Sequence, residues 1–324
     1  MKPLLLHYFV TNRCNARCAF CSIWRDAPKT DARPEHVLPN LLGAKKAGCR
    51  FVDFTGGEPL LHPHLPQFLT EAKRLRFLTS VTTNCLCFAE RAPELSGLVD
   101  LLHFSLDADN KALHNRIRGC DSFEKVLAAI PLALAHRLVP DLLFTYTNEN
   151  IDSFTGVYEL GRRHRLMVIL DPVFSLDGKD PASRETHAKA LAWAKRPGVY
   201  LNKAHLALRF EGGNTPARSR CRAAAAAIAV LPDNRLALPC FHHAADFVDV
   251  KDSLQRALDD PKRAGAIGRQ GTYPFCAGCH INCYFDPSYT AGLGRFCFLS
   301  LAAKTSYAFT KYGIYRRKIP SRFV

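Results

Sequence analysis

No stretch of the 324-residue chain approaches eighteen consecutive uncharged apolar residues, so no segment has the length and composition of a membrane-spanning helix. The opening residues "MKPLLLHYFV" lack the small-residue cleavage site of a secretory signal, and a cytoplasmic location is the expectation. Acidic residues are few, 29 against 44 lysines and arginines, which leaves a formal net charge of +15. That excess suits an anionic partner such as nucleic acid, a phosphorylated substrate or an acidic membrane surface; it suits a basic but solvated surface equally. Internal repeats and low-complexity tracts are absent.

What the chain does have is cysteine, thirteen in all. An odd count without an export signal points to thiolates that stay reduced and bind metal, because the cytosol disfavours structural disulfides.

From Leu4 to about Phe174, short apolar or β-branched runs alternate with segments of helical period. The strand candidates are "LLLHYFV" from Leu4, "FVDFT" from Phe51, "FLTSVTT" from Phe77, "VDLLHFSL" from Val99, "DLLFTYT" from Asp141 and "LMVILDPVF" from Leu166. Helix candidates lie between them at Pro34–Ala47, Pro66–Leu75, Ser122–Ala135 and Ser153–Arg163, the last two opening on a serine at an N-cap position. Repeated strand-then-helix order predicts an α/β fold with a parallel sheet, either open or rolled into a full or partial (β/α) barrel.

In such a fold the C-terminal ends of the strands share one rim, where ligands bind. The unusual residues collect there. Cys14, Cys18 and Cys21, in "TNRCNARCAFCSIW", follow the first strand; Gly56, Gly57, Glu58 and Pro59 follow the second; Asn84 closes the third. Ser105 and Asp107 end the fourth strand, Asn148 the fifth and Asp171 the sixth. Three clustered thiolates can hold three irons of a [4Fe–4S] cubane and leave the fourth iron open for a ligand. A structural zinc completed by His7 or His36 is the competing reading, and it accounts for neither the "GGEP" turn nor the rim pattern.

The cysteine spacing CxxxCxxC with Phe20 before its third cysteine, "GGEP" one strand later, and "SLDADNKALHNRIRGCDSF" from Ser105 together resemble the radical S-adenosylmethionine (radical SAM) enzymes. The resemblance covers roughly the first half of the chain and implies a partial (β/α)6 TIM-like barrel. It implies Cys14, Cys18 and Cys21 as ligands of a [4Fe–4S] cluster whose open iron binds S-adenosylmethionine. Reductive cleavage would then give a 5′-deoxyadenosyl radical that abstracts hydrogen from a substrate. Gly56 to Pro59 would meet the cofactor's amino group, with Glu58 as an anion suited to an ammonium. Asn84, Ser105 and Asp107 become ribose contacts, and Arg118 a bidentate partner for the cofactor carboxylate. An electron donor such as flavodoxin or ferredoxin is implied as a partner.

A second cysteine set lies further on. Cys221 and Cys240 flank a predicted hairpin turning at Asp233-Asn234, and "CAGCHINC" supplies Cys276, Cys279 and Cys283. This arrangement resembles the SPASM and twitch extensions of the same superfamily, small α+β iron–sulfur domains. It implies an auxiliary [4Fe–4S] cluster on Cys221, Cys240, Cys276 and Cys279, with Cys283 as an alternative ligand. Zinc is the other metal such a set would suit. Cys297, in "RFCFLSL", reads as a buried core thiol.

The expected organisation is a barrel over 1–176, a bridging segment over 177–220, the auxiliary-cluster domain over 221–298, and a C-terminal helix with a basic tail over 299–324. In the tail, Tyr307, Phe309, Tyr312 and Tyr315 interleave with Lys304, Lys311, Arg316, Arg317, Lys318 and Arg322. A helix packed on the domain with its charges in water is the favoured reading, and peripheral contact with an anionic membrane the alternative. The substrate is left open among small molecule, peptide and lipid. A rival reading from another class is a zinc or iron–sulfur module that binds nucleic acid without catalysis.

Overall fold

The structure, a computed structural model, describes residues 1–26 and 28–315. Six parallel strands form its centre: β1 (Leu5–Thr11), β2 (Phe51–Gly56), β3 (Leu78–Thr83), β4 (Leu101–Ser105), β5 (Pro140–Tyr146) and β6 (Val168–Pro172). Each falls on its expected segment, with β1, β2 and β5 running one residue beyond it. The four expected helices are present as Pro34–Ala47, Leu65–Arg74, Phe123–Ala135 and Phe154–His164; helix Phe88–Leu95 fills the remaining crossover, and helix Lys111–Arg118 precedes Phe123–Ala135 between β4 and β5. Neither expected serine caps its helix. The Ser122 hydroxyl pairs with His114 Nε2 at 3.0 Å, and the Ser153 hydroxyl accepts the Asp109 N–H at 2.8 Å.

Alternation along the strands sorts the core. Leu6, Tyr8 and Val10 of β1, Val52 and Phe54 of β2, Leu102 and Phe104 of β4, and Leu142, Phe144 and Tyr146 of β5 are buried in the core shared with the helices. The intervening positions face the concave side and include His7, Asp53, His103 and Asp171.

Three further strands extend the same sheet past β1 in place of forming a sheet of their own. After the two-residue β7 (Val199–Tyr200) on the β6 edge come β8 (Ala227–Val230), β9 (Arg235–Leu238) and β10 (Asp246–Asp249), giving the order β10-β9-β8-β1-β2-β3-β4-β5-β6-β7. β8 runs parallel to β1, pairing Leu5 with Ala227, and β9 returns antiparallel through the expected turn, where Asn234 has φ 63°.

The C-terminal helix Arg295–Ala308 continues as a wider turn over Phe309–Ile314. Its charges are not all in water, which corrects the sequence expectation. Lys311 is buried, and its Nζ donates to both carboxylate oxygens of the fully buried Asp141 at 2.8 and 2.9 Å and to the Tyr307 hydroxyl at 2.8 Å. Asp141 opens β5 on the concave side, so a buried carboxylate without this lysine would be left without its ion pair. Arg316, Arg317, Lys318 and Arg322 lie outside the described residues.

Breaking such a pair on one side costs about 3–5 kcal/mol. Lys311→Met is therefore expected to lower unfolding stability by about that amount in urea titration, and Lys311→Met with Asp141→Leu to recover most of the loss.

Candidate functional site

The loop after β1 is held from both sides by main-chain hydrogen bonds. On one side Gly57 N donates to Thr11 O at 2.8 Å and Glu58 N to Arg13 O at 2.8 Å. On the other, Arg17 N donates to Arg118 O at 3.0 Å and Ala19 N to Ile117 O at 2.9 Å, tying the loop to the end of helix Lys111–Arg118. Glycine is required at this contact. A Cβ on Gly57 would lie 2.1 Å from the Arg13 carbonyl oxygen, and Gly56 combines φ 123° with a Cβ position 2.0 Å from the Thr11 oxygen.

Cys14, Cys18 and Cys21 sit within electrostatic reach of one another on this loop. Burial pushes the Cys18 thiol up to about 11 and raises that of Cys14, Arg118 opposing the shift in both. A buried thiol such as Cys14 or Cys18 gives up its proton more readily when a metal cation takes the proton's place.

Two buried polar atoms at the loop have no partner within the protein. One is Nε of Arg118, whose NH1 is paired to Asp107 Oδ2 at 3.2 Å; the other is Oδ1 of Asn12, two residues before Cys14. A buried orphan donor and acceptor beside three thiols fit a polar ligand carried on the metal. Asn12 was missed in the sequence because a lone asparagine at a strand end carries no motif signal.

The remaining rim residues fall where expected, but two are already engaged. Glu58 is buried, its Oε1 accepting Leu60 N at 3.1 Å and its Oε2 accepting Asn84 N at 2.8 Å. Asp107 is fully buried between Arg118 and the N–H of Thr145, which it accepts at 2.8 Å. Asn84 donates to Asn15 Oδ1 at 2.7 Å, bridging the third strand to the cysteine loop, and Ser105 is buried at the end of β4. His7, one of the two histidines of the zinc reading, has its ring nitrogens towards Asp53 Oδ2 at 3.2 Å and the Cys283 carbonyl at 3.4 Å.

The second cysteine set converges elsewhere. Cys221, Cys240, Cys276 and Cys279 line one small cavity, together with His243 and the apolar surfaces of Tyr284 and Phe285. Because β8 runs with β1, Cys221 lies towards the starting end of the strands, and Cys240 after β9 returns to that end, whereas Cys14 follows the finishing end of β1. Seven residues of β1 span about 20 Å between these ends. Burial raises all four thiols, Cys240 to about 12 and Cys279 to about 11.

Cys283 does not line that cavity. Cys283 is solvent-accessible and lies near Asp171 and Asp53, and desolvation with these two carboxylates pushes its thiol up to about 12. Among the described residues no group of three or more His, Cys, Asp or Glu is arranged to hold a single metal ion.

Asn214 organises the cavity wall. Its Nδ2 donates to Gly271 O at 2.8 Å and Cys276 O at 3.0 Å, its N–H donates to Cys279 O at 2.9 Å, and its Oδ1 accepts Arg220 N at 3.2 Å. The sequence placed it in a bridging segment, and its role depends on contacts 57 and 62 residues away.

The concave side between the two sites is polar. His7 and Asp53 meet there, His103 Nδ1 lies 3.3 Å from Thr82 Oγ1, and Asn282 Nδ2 donates to Asp171 Oδ1 at 2.8 Å. Burial pushes the Asp171 carboxyl up to about 6. None of the six central strands contains a lysine or arginine.

Comparison with known proteins agrees with this geometry. Over 167 residues the chain is 35% identical to a GTP 3′,8-cyclase of Chlorobaculum tepidum, a match covering 49% of this chain and 50% of the relative. It is 30% identical over 188 residues to a probable GTP 3′,8-cyclase of Methanopyrus kandleri, covering 56% and 61%. The chain thus spans about half the length of the curated relatives it matches. Solved structures share the fold at low identity. Streptococcus suis SuiB bound to precursor peptide SuiA superposes with TM-score 0.68 at 15% identity, over 90% of this chain and 73% of that one. Native anSMEcpe with bound AdoMet superposes with TM-score 0.64 at 16% identity, over 97% and 99%. Residues 8–161, which hold the cysteine loop, the glycine turn and the helix that pins them, match the sequence model of the Radical SAM superfamily.

Proposed function

We propose that this chain cleaves S-adenosylmethionine reductively and uses the resulting radical to take hydrogen from a substrate held on the concave side of the sheet. When bound, the cluster supplies the electron and the open iron, and S-adenosylmethionine supplies the 5′-deoxyadenosyl group. The observation that carries this reading is the cysteine loop clamped between the glycine turn and helix Lys111–Arg118, with two unpartnered buried polar atoms beside it.

Cys14, Cys18 and Cys21 hold the cluster. The edge from Gly56 to Pro59 offers main-chain groups to the cofactor's amino end, because the Glu58 carboxylate is engaged by Leu60 and Asn84. Arg118 grips the carboxylate through its free Nε edge, and Asp107 orients Arg118. Asn84 and Ser105 contact the ribose. Cys221, Cys240, Cys276 and Cys279 hold an auxiliary [4Fe–4S] cluster of SPASM or twitch type, which accepts or relays an electron, and a flavodoxin or ferredoxin is the donor to the chain.

A second reading, GTP cyclisation, is favoured by the GTP 3′,8-cyclases among the relatives. Those matches cover only about half of this chain. A triphosphate calls for cations, and the central strands offer imidazoles and carboxylates with no lysine or arginine. The chamber better suits a peptide or small molecule rich in hydrogen-bond donors or amines, and GTP supplied to the reduced enzyme is expected to be returned unchanged.

Anaerobically reconstituted protein should contain about eight irons with matching sulfide, and release 5′-deoxyadenosine on addition of dithionite and S-adenosylmethionine. Cys18→Ala should abolish that release. Zinc without sulfide would favour the non-catalytic nucleic-acid-binding module.

Asn214→Ala leaves the carbonyls of Gly271 and Cys276 without their donor, a cost of about 1–3 kcal/mol per unsatisfied group. Its iron content is expected to fall to about half, by loss of the auxiliary cluster, while 5′-deoxyadenosine release persists. Release lost together with all iron would show that the two sites do not load independently.

A further inference from the structure

The charged side chains of the C-terminal helix are paired within the protein, Arg295 with Glu211 at 2.9 Å while remaining 67% exposed. Lys304 pairs with Asp286 at 3.0 Å and Lys311 is buried on Asp141, so both lysines are engaged by the protein. The solvent side is apolar. Phe298, Leu301, Phe309 and Ile314 are 63%, 58%, 67% and 52% exposed, and the other exposed positions from 298 to 314 are alanine, threonine, serine and glycine. Residues 298, 301, 305 and 309 follow one another at helical spacing, so these side chains form a single protruding ridge without a charge. Leu293, 93% exposed, precedes it.

Cations flank one end of the ridge. Tyr315 places its hydroxyl at Gly198, where an added Cβ would lie 2.4 Å from it, and Arg162 acts on Tyr315 electrostatically. Arg162, Arg163, Lys195 and Arg196 are all exposed on the chain segments around that contact. The sequence continues with Arg316, Arg317, Lys318 and Arg322, outside the described residues.

We propose that this ridge docks the protein on an anionic lipid surface. Phe298, Leu301 and Phe309 enter the boundary between headgroups and acyl chains, and the neighbouring cations meet the anionic headgroups. Among the described residues no helix is long and apolar enough to cross a membrane, so the contact is peripheral. A fluid surface accommodates separated aromatic and aliphatic side chains on a protruding helix, and the net charge of +15 complements its sign.

Flotation of the full chain with phosphatidylcholine vesicles, with and without phosphatidylglycerol, tests this without reference to the clusters. Binding is expected only to the anionic vesicles, weakening as salt rises. The triple variant Phe298→Ser, Leu301→Ser, Phe309→Ser should bind about ten-fold more weakly or less, with an unchanged melting temperature because all three side chains are solvent-exposed. Arg163→Gln with Lys195→Gln should weaken binding and flatten its salt dependence, a readout that does not rely on the triple variant folding. Absence of binding to anionic vesicles would overturn the proposal, as would full binding by a folded triple variant. A wild-type dimer that becomes monomeric in that variant would also overturn it, by making a second copy the occupant of the ridge.

Discussion

Four main-chain hydrogen bonds hold the loop from Thr11 to Cys21 between the Gly56–Gly57 turn and the end of helix Lys111–Arg118, and the geometry of the first cysteine site depends on them. A loop of small and charged residues would otherwise be free to fluctuate, and three thiols would meet only transiently. Here each flank is fixed by an element of the parallel sheet, so the entropy of ordering the loop is already covered by the folding of the barrel. The glycines matter because a side chain at either position would push the loop away from the turn.

The two cysteine sites are related by strand direction. β8 lies parallel to β1, which sends the second site towards the starting ends of the strands while the first stands at their finishing ends. The concave polar surface of His7, Asp53, His103 and Asp171 lies between them, and Cys283 reaches into it beside Asp171. A substrate there would be placed between the two cysteine sites, which links the sheet topology to the proposed chemistry. Lys311 closes the same interior from below by neutralising Asp141.

The sequence made the parallel strands legible because each is a short apolar run bounded by polar or glycine residues, and the rim residues followed from strand direction alone. The clustering of Cys221, Cys240, Cys276 and Cys279 around one cavity was legible in the same way, from a hairpin and a CxxC spacing. What was not legible depends on distant contacts. Asn214 is one polar residue in a charged stretch until Gly271 and Cys276 fold onto it. Glu58 and Asp107 read as free ligand groups, yet backbone N–H groups and Arg118 reach them first. Lys311 looked solvated because its partner is 170 residues away. The serines before helices Phe123–Ala135 and Phe154–His164 had the right position for caps, but His114 and Asp109 draw their hydroxyls aside.

The central claim is that the protein leaves one iron at the Cys14–Cys18–Cys21 site for a small ligand to bind. Electron paramagnetic resonance of the reduced, anaerobically reconstituted chain tests it most directly. The account predicts that adding S-adenosylmethionine changes the signal of the cluster held by these three cysteines, in protein whose auxiliary cysteines are replaced so that only this cluster contributes. A reduced cluster whose signal is the same with and without S-adenosylmethionine would contradict it.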